Sequence, residues 1–497
     1  MKPFNRLTLV YLAALALASC TPGRVPVATE TAPSPTAEIR SSPEVQTSAP
    51  AATESLPVAT PTRARPPEPL SRYSLSATLD YDAHQATVQE TISYVNHTGE
   101  ELSELVLVVE PNRYLGGFIL DSLTGKDETA LDGYTLEGVQ LRVPLPAGLP
   151  PGQSVDLILA YRLLLPNQNA PYGWTERQVN LGDWYPYIPP YRPGEGWLVR
   201  DDGPQGEHLA YDPADFQVEM RLARPQDASG RSLVVAASAL PQTEGEGYRY
   251  RLGAARNFAL SISPLYQVQQ AAAGPVTVTG YAFPGHPSAD QPALQEAAKA
   301  LQVFGDLFGP YPHDSLSVVE ADFLDGMEYD GLIFLSHAFY DFYTGDARNN
   351  LTIIAAHEVA HQWWYGLVGN DQALEPWLDE ALCTYSELLF YEAVYPDLAG
   401  WWRENRIDFH NPQGWVDATI YDYPDFYPYR NAVYLRGALF LVELRTRMGD
   451  EAFKAFLRDY LNRFAYRQAT TADFFAVLSE HTSEDLSGLV SAYFANQ

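Results

Sequence analysis

His357, Glu358 and His361 stand in the stretch Leu351-Thr352-Ile353-Ile354-Ala355-Ala356-His357-Glu358-Val359-Ala360-His361-Gln362-Trp363-Trp364, whose other positions are mostly apolar. On a helix of 3.6 residues per turn, positions i and i+4 stack on one face, so both imidazoles can reach one divalent ion. Glu358, one step round from His357, borders that ion without ligating it, which is where a general base acting on a water must stand. Zinc wants a third protein ligand and an open fourth position. Glu380, separated from His361 by positions 362–379, offers a carboxylate from a second helical pattern that starts near Pro376 and runs Trp377-Leu378-Asp379-Glu380-Ala381-Leu382-Cys383-Thr384-Tyr385. The alternatives are a chance match on a buried helix and, for Glu380, a solvated carboxylate favoured by a helix start.

At these residues the sequence resembles the gluzincin zinc aminopeptidases, of the aminopeptidase N and leukotriene hydrolase type. Their signature is His-Glu-x-x-His, eighteen residues, then Glu, with aromatic residues after the second His and Trp-Leu-x-Glu around the third ligand. Gln362-Trp363-Trp364 and Trp377-Leu378-Asp379-Glu380 match it. The resemblance covers residues 180–497 and is best from 300 to 450. It implies one Zn2+ per chain, held by His357, His361 and Glu380, with Glu358 as the base.

Two further constellations carry the resemblance. Asp325-Gly326-Met327-Glu328-Tyr329 stands where the family has Gly-x-Met-Glu-Asn on an edge strand that pairs with an extended substrate. There Gly326 and Met327 would contact the peptide and Glu328 would hold its amino group by a charge-assisted bond. Asp325 and Tyr329 depart from the pattern, which puts the backbone and side-chain contacts to the first substrate residue in question. Tyr434-Leu435-Arg436-Gly437 stands where the family has Tyr-x-Lys-Gly, so the resemblance makes Tyr434 the second donor to the oxyanion that forms on amide attack. Tyr427 and Tyr429 compete for that role, since the chain has 32 tyrosines.

The elements that must position these residues fall into two halves. From residue 71 to 272 the pattern is strands: positions 73–79 and 86–95 alternate, 105–109 form a short buried run, and 155–161 and 216–222 continue the series between turn residues. An antiparallel β-sandwich-like domain is expected there. Two stretches within it, Leu181-Gly182-Asp183-Trp184-Tyr185-Pro186-Tyr187 and Arg256-Asn257-Phe258-Ala259-Leu260-Ser261, resemble segments that close this domain onto the catalytic one, though plain core packing explains them equally. From 273 to 497 the periodicity becomes mixed, with a helix over 292–308, strands over 316–320 and 331–336, and helices over 450–464 and 471–479. The resemblance makes this half a thermolysin-like α+β metallopeptidase domain. Because the chain ends at Gln497, it also implies a short form without the helical domain that caps the cleft in large members.

Ahead of both halves, Lys2 and Arg6, an apolar run from Leu7 to Leu17, and Leu17-Ala18-Ser19-Cys20 read as a bacterial lipoprotein signal over 1–20, with Cys20 lipidated. The run is too short to span a bilayer. Residues 21–70, rich in Pro, Ser, Thr and Ala, read as a disordered tether. The net charge of −30 argues against nucleic acid and against an electrostatic grip on anionic lipid. With two cysteines, Cys20 and Cys383, no internal disulfide is expected, and Cys383 reads as core.

The sequence therefore points to an exported, membrane-anchored zinc aminopeptidase that acts on peptides with a free amino terminus. An endopeptidase using the same metal and base, and a non-catalytic surface lipoprotein with a peptidase-like fold, are the rival readings. Loss of a ligand or of the base would mark the latter, and all four residues are present.

Overall fold

Alternation of apolar and polar residues builds the first half strand by strand. In Ser71–Asp80 the side chains of Tyr73, Leu75, Ala77 and Leu79 face inward while their neighbours meet solvent, the period-two pattern of a sheet with one wet face. The computed structural model describes residues 66, 69–242 and 247–496. The signal, Cys20 and nearly all of the 21–70 tether lie outside the described residues.

One six-stranded sheet runs in the order Tyr248–Ala255, Ala214–Leu222, Ser71–Asp80, Gln85–Val95, Ser154–Leu164, Phe118–Gly125. It is antiparallel except where Ser71–Asp80 lies parallel to Ala214–Leu222, a departure from the all-antiparallel expectation. Two strands more than a hundred residues apart in sequence can meet in either sense. A three-stranded sheet of Leu102–Val108, Gln140–Leu149 and Thr135–Glu137 shares its core, in which Leu105, Leu107, Leu141 and Val143 join Leu157 and Leu159.

The second half is organised on a mixed five-stranded sheet in the order Gln267–Ala273, Val276–Ala282, Ser315–Ala321, Leu332–Ser336, Gly326–Tyr329. Its outer strand thus begins at Gln267, ahead of position 273. The three central strands are parallel, and Gly326–Tyr329 pairs antiparallel with Leu332–Ser336 at the edge. Helix Asp290–Phe308 makes the crossover between the first two parallel strands. Helices Asn350–Ala360 and Trp377–Val394 pack on one another beside the sheet, and Gly437–Met448, Asp450–Phe464 and Thr471–His481 complete the core.

Helix Asn350–Ala360 is capped by Asn349, whose side chain accepts from the Thr352 amide. Every residue from Leu351 to Ala360 is buried, as expected of a helix that is apolar all round. It stops at Ala360, earlier than the motif through Trp364 suggests. The Gly366 amide turns back to the His361 carbonyl, and Trp363 and Trp364 fill the core from this turn.

Arg256 joins the halves. Its buried guanidinium donates to the carbonyls of Tyr365, Gly366, Leu367 and Arg467 in the second half and Tyr211 in the first. Trp184, Tyr185 and Tyr187 of the other closing stretch are core residues. Among the described residues no helix is long and apolar enough to cross a membrane.

Candidate metal centre and its surroundings

Two packed helices bring His357, His361 and Glu380 together. The Nε2 atom of His357 lies 3.2 Å from Glu380 Oε2 and that of His361 lies 3.6 Å from it, and one ligand atom from each of the three residues lies within 4.8 Å of the others. Ligands about 2.0–2.2 Å from a tetrahedral zinc sit about 3.4 Å apart, so the spacing fits such an ion. The outer ring nitrogens support the same conclusion. His357 Nδ1 donates to Glu387 Oε1 at 2.9 Å, and His361 Nδ1 to the Trp364 carbonyl at 3.2 Å. With their protons on Nδ1, both rings turn an Nε2 lone pair to the shared point. Burial, and then the neighbouring His357, hold His361 well below its ordinary value, keeping it in the neutral form that a metal requires.

Glu387 is itself fixed. Its carboxylate accepts two bonds from Arg406 and one from the Trp402 indole. Burial pushes it up, but Arg406 and His357 outweigh that and leave it below the usual carboxylate range.

Glu358 lies buried with Oε2 bonded to nothing. Burial raises it well above the ordinary carboxylate value, His357 opposes this, and Glu328 and Glu380 push it further. Gly326 makes room for it, because a Cβ at 326 would sit 2.0 Å from Glu358 Oε1. Glu328, on the same edge strand, is buried and accepts from Gln372 Nε2 at 3.1 Å. Glu328, Glu358 and His361 form a second group of ligand spacing that overlaps the first. Met327 is half-buried beside them. Asp325 opens the strand with φ +71°, a left-handed conformation that explains why a glycine suits the family position. Tyr329 reaches away from the cleft and donates to Asp183 Oδ2 at 2.8 Å, which ties the edge strand to the first half.

Tyr434 sits in a π-helical stretch, Asn431–Arg436, between the short helix Phe426–Arg430 and helix Gly437–Met448. Its ring lies parallel to that of His357 at 6.0 Å. Its hydroxyl engages Glu380, and burial, followed by that carboxylate, keeps it protonated. Of its rivals, Tyr429 is fully buried and Tyr427 exposed, so Tyr434 is the tyrosine placed at the ligands.

One residue escaped the sequence. Glu207, in a loop of the first half, reaches Glu380 and shares a field with Glu328 and Asp379. Gly206, at φ +74° against the Tyr429 hydroxyl and Ile420, turns the chain so that it can do so. The signal was Gly203-Pro204-Gln205-Gly206-Glu207, a turn-rich run ending in an acid. Glu207, Glu328, Glu358, Asp379 and Glu380 therefore crowd one site, and no lysine or arginine forms an ion pair with any of them among the described residues.

Residues 292–493 match the Peptidase family M1 domain. The second half is thus similar to an M1 peptidase domain. Relatives of this domain include Aminopeptidase M1-B of Oryza sativa subsp. japonica, 31% identical over 222 residues, which are 41% of this chain and 25% of that protein. Endoplasmic reticulum aminopeptidase 2 of Homo sapiens is 30% identical over 224 residues, 42% and 23% of the two chains. The chain thus spans about a quarter of the length of the curated relatives it matches. The M1 zinc metallopeptidase of Deinococcus radiodurans shares the fold of both halves, with a TM-score of 0.61 at 22% identity over 87% of this chain and 95% of that one. A mutant of that enzyme bound to a Tyr-Ser-Ala substrate gives 0.62 at 22% over 85% and 93%. The gluzincin likeness drawn from the motifs and the order of a β half before a peptidase half are borne out.

Proposed function

We propose that the protein is a zinc aminopeptidase that removes the first residue of peptides outside the cytoplasm. The observation that carries this reading is the crowd of buried carboxylates at the site with no basic side chain paired to them. Burying such charges demands cationic partners. Two suit the geometry: a divalent ion between His357, His361 and Glu380, and the ammonium of a peptide between Glu328 and Glu207. An endopeptidase has no use for the second.

A zinc ion, when bound, supplies a Lewis acid that polarises the scissile carbonyl and acidifies a water. The chain's residues do the rest. The unpaired edge of Gly326–Tyr329 offers backbone groups to an extended peptide. Glu328 and Glu207 hold its amino terminus by charge-assisted bonds. The Glu358 carboxylate takes a proton from the attacking water and returns it to the leaving amine. The Tyr434 hydroxyl donates to the oxygen on which negative charge develops.

The extracytoplasmic site of action and the anchor rest on residues 1–20 and on Cys20 as the lipid-bearing residue. Labelling with a radioactive fatty acid, lost in Cys20→Ala, is the expected behaviour, and label retained by the variant would overturn the anchor.

Glu358→Gln should keep one zinc per chain by elemental analysis while turnover of aminoacyl anilides falls by at least about 10²-fold. N-acetylated peptides should resist the wild-type protein. Cleavage of blocked peptides at the rate of free ones would turn the reading to an endopeptidase.

A further inference from the structure

Glu207 and Glu328, assigned above to the substrate's ammonium, come from different halves of the chain, and an ion pair ties together the segments that carry them. Arg200, seven residues before Glu207, donates to Asp371 Oδ2 from Nε at 3.0 Å and from Nη2 at 2.6 Å. Its Nη2 also donates to Glu195 of its own half. The Asp371 side chain is 1% exposed and that of Arg200 17%, so the contact is largely shielded from dissolved ions.

Each partner leads to one of the two anchors. In the second half Asp371 opens a tight turn. Its Oδ1 accepts from the Leu374 amide at 3.2 Å, and its carbonyl accepts from Leu374 at 3.1 Å and Glu375 at 2.7 Å. From that turn the next residue, Gln372, donates to Glu328 Oε1 at 3.1 Å. In the first half no helix or strand stands between Trp197 and Ala214, so the stretch that carries Glu207 has no backbone ladder to hold its shape. It is laid on the second half instead. The Tyr421 hydroxyl donates to the Asp201 carbonyl at 2.6 Å, Gln205 Nε2 donates to the Pro424 carbonyl at 3.3 Å, and a Cβ at Gly203 would meet the Ile420 side chain at 2.7 Å. Those two bonds to carbonyls are exposed and carry no charge. A bond between ionised partners is roughly twice as strong as a neutral one, which makes Arg200 the main fastening of this stretch.

We propose that Arg200 is a positioning residue for the amino-terminal clamp: by holding Asp371 it fixes the gap between Glu207 and Glu328 into which the ammonium fits. The assignment rests on the aminopeptidase reading.

The test measures what an ammonium adds to binding. Leucinol and isohexanol differ by that group alone and contain no bond to cleave, and both serve as inhibitors of leucine anilide hydrolysis by the zinc-loaded full chain. The wild-type protein should bind leucinol about 30-fold or more tightly than isohexanol. Arg200→Gln should cut that ratio about tenfold and raise the KM of the anilide alongside, while kcat, zinc content and the Ki of isohexanol stay near their wild-type values. A general loss of packing would weaken both inhibitors alike. Arg200→Lys should keep part of the ratio. Where Arg200→Gln melts too low to assay, Arg200→Gln combined with Asp371→Asn takes its place, since it leaves no lone carboxylate buried. In a Glu207→Gln background, loss of Arg200 should change the ratio no further. A folded variant that keeps the wild-type ratio overturns the assignment alone, as does a loss just as large without the Glu207 carboxylate. A wild-type ratio near one, or no cleavage of the anilide, overturns the aminopeptidase reading and the assignment with it.

Discussion

At the level of single residues, the proposed chemistry depends on a small absence beside Glu358, the acid assigned above as the base. A methyl group on Gly326 would fall 2.0 Å from Glu358 Oε1, and the carboxylate must swing away to admit it. Gly326→Ala is expected to lower kcat about 10²-fold, the cost of an ångström of misplacement, while zinc content stays at one per chain. Retention of wild-type kcat in a folded Ala variant would show that Glu358 has a second working position. The ligand residues were legible in the sequence because helical spacing alone puts His357 and His361 on one face. Glu207 was not, because its approach depends on a loop turn at Gly206 and on the packing of one half against the other, neither of which leaves a periodic trace. The hydroxyl of Tyr329 shows the same limit. The sequence departs at that position from the family it resembles, and only the fold reveals that Asp183 accepts from the new side chain.

At the level of elements, two helices present the candidate metal ligands and a π-helical turn lays Tyr434 beside them. Glu387, two turns beyond Glu380 on Trp377–Val394, orients His357 and is held in turn by Arg406. Glu387→Gln keeps the shape but weakens the hold on His357 and strands a buried guanidinium. Zinc affinity, read by competition with a chelator, should fall about 10–100-fold. The apo protein should also melt lower, because an unpaired buried charge costs about 3–5 kcal/mol. The double variant Glu387→Gln with Arg406→Met should recover much of the stability but not the affinity. Recovery of both would make the pair a packing feature only. Strands and long helices were readable from their periods, and helix Asp450–Phe464 falls on its expected residues. The π-helical stretch around Tyr434 was not, since an extra residue in a helical turn has no signature of its own, although such turns recur at functional sites.

At the level of the molecule, stability should carry a pH signature from outside the metal centre. Glu320 is fully buried at the end of Ser315–Ala321, where it accepts from the Phe283 amide at 2.7 Å. Burial outweighs the Phe283 bond and the charge of Arg177 and raises it from 4.5 to about 8. Between those values the folded chain holds a proton that the unfolded chain has released, so stability falls as pH rises through this window. Below it both states are protonated, and the contribution is constant. Denaturant melts at pH 5 and pH 8 should show a smaller decline in Glu320→Gln than in the wild-type protein. An identical decline in both would remove Glu320 as the source.

The seam between the halves has a consequence for the environments the protein can tolerate. Arg256 fastens it through carbonyl oxygens in place of carboxylates, from a position closed to water. Dissolved ions weaken attractions between exposed charges, with a screening length of about 3 Å at 1 M, but they have no route to a cation sealed among backbone dipoles. Brine should therefore strip the surface ion pairs and leave the two halves joined.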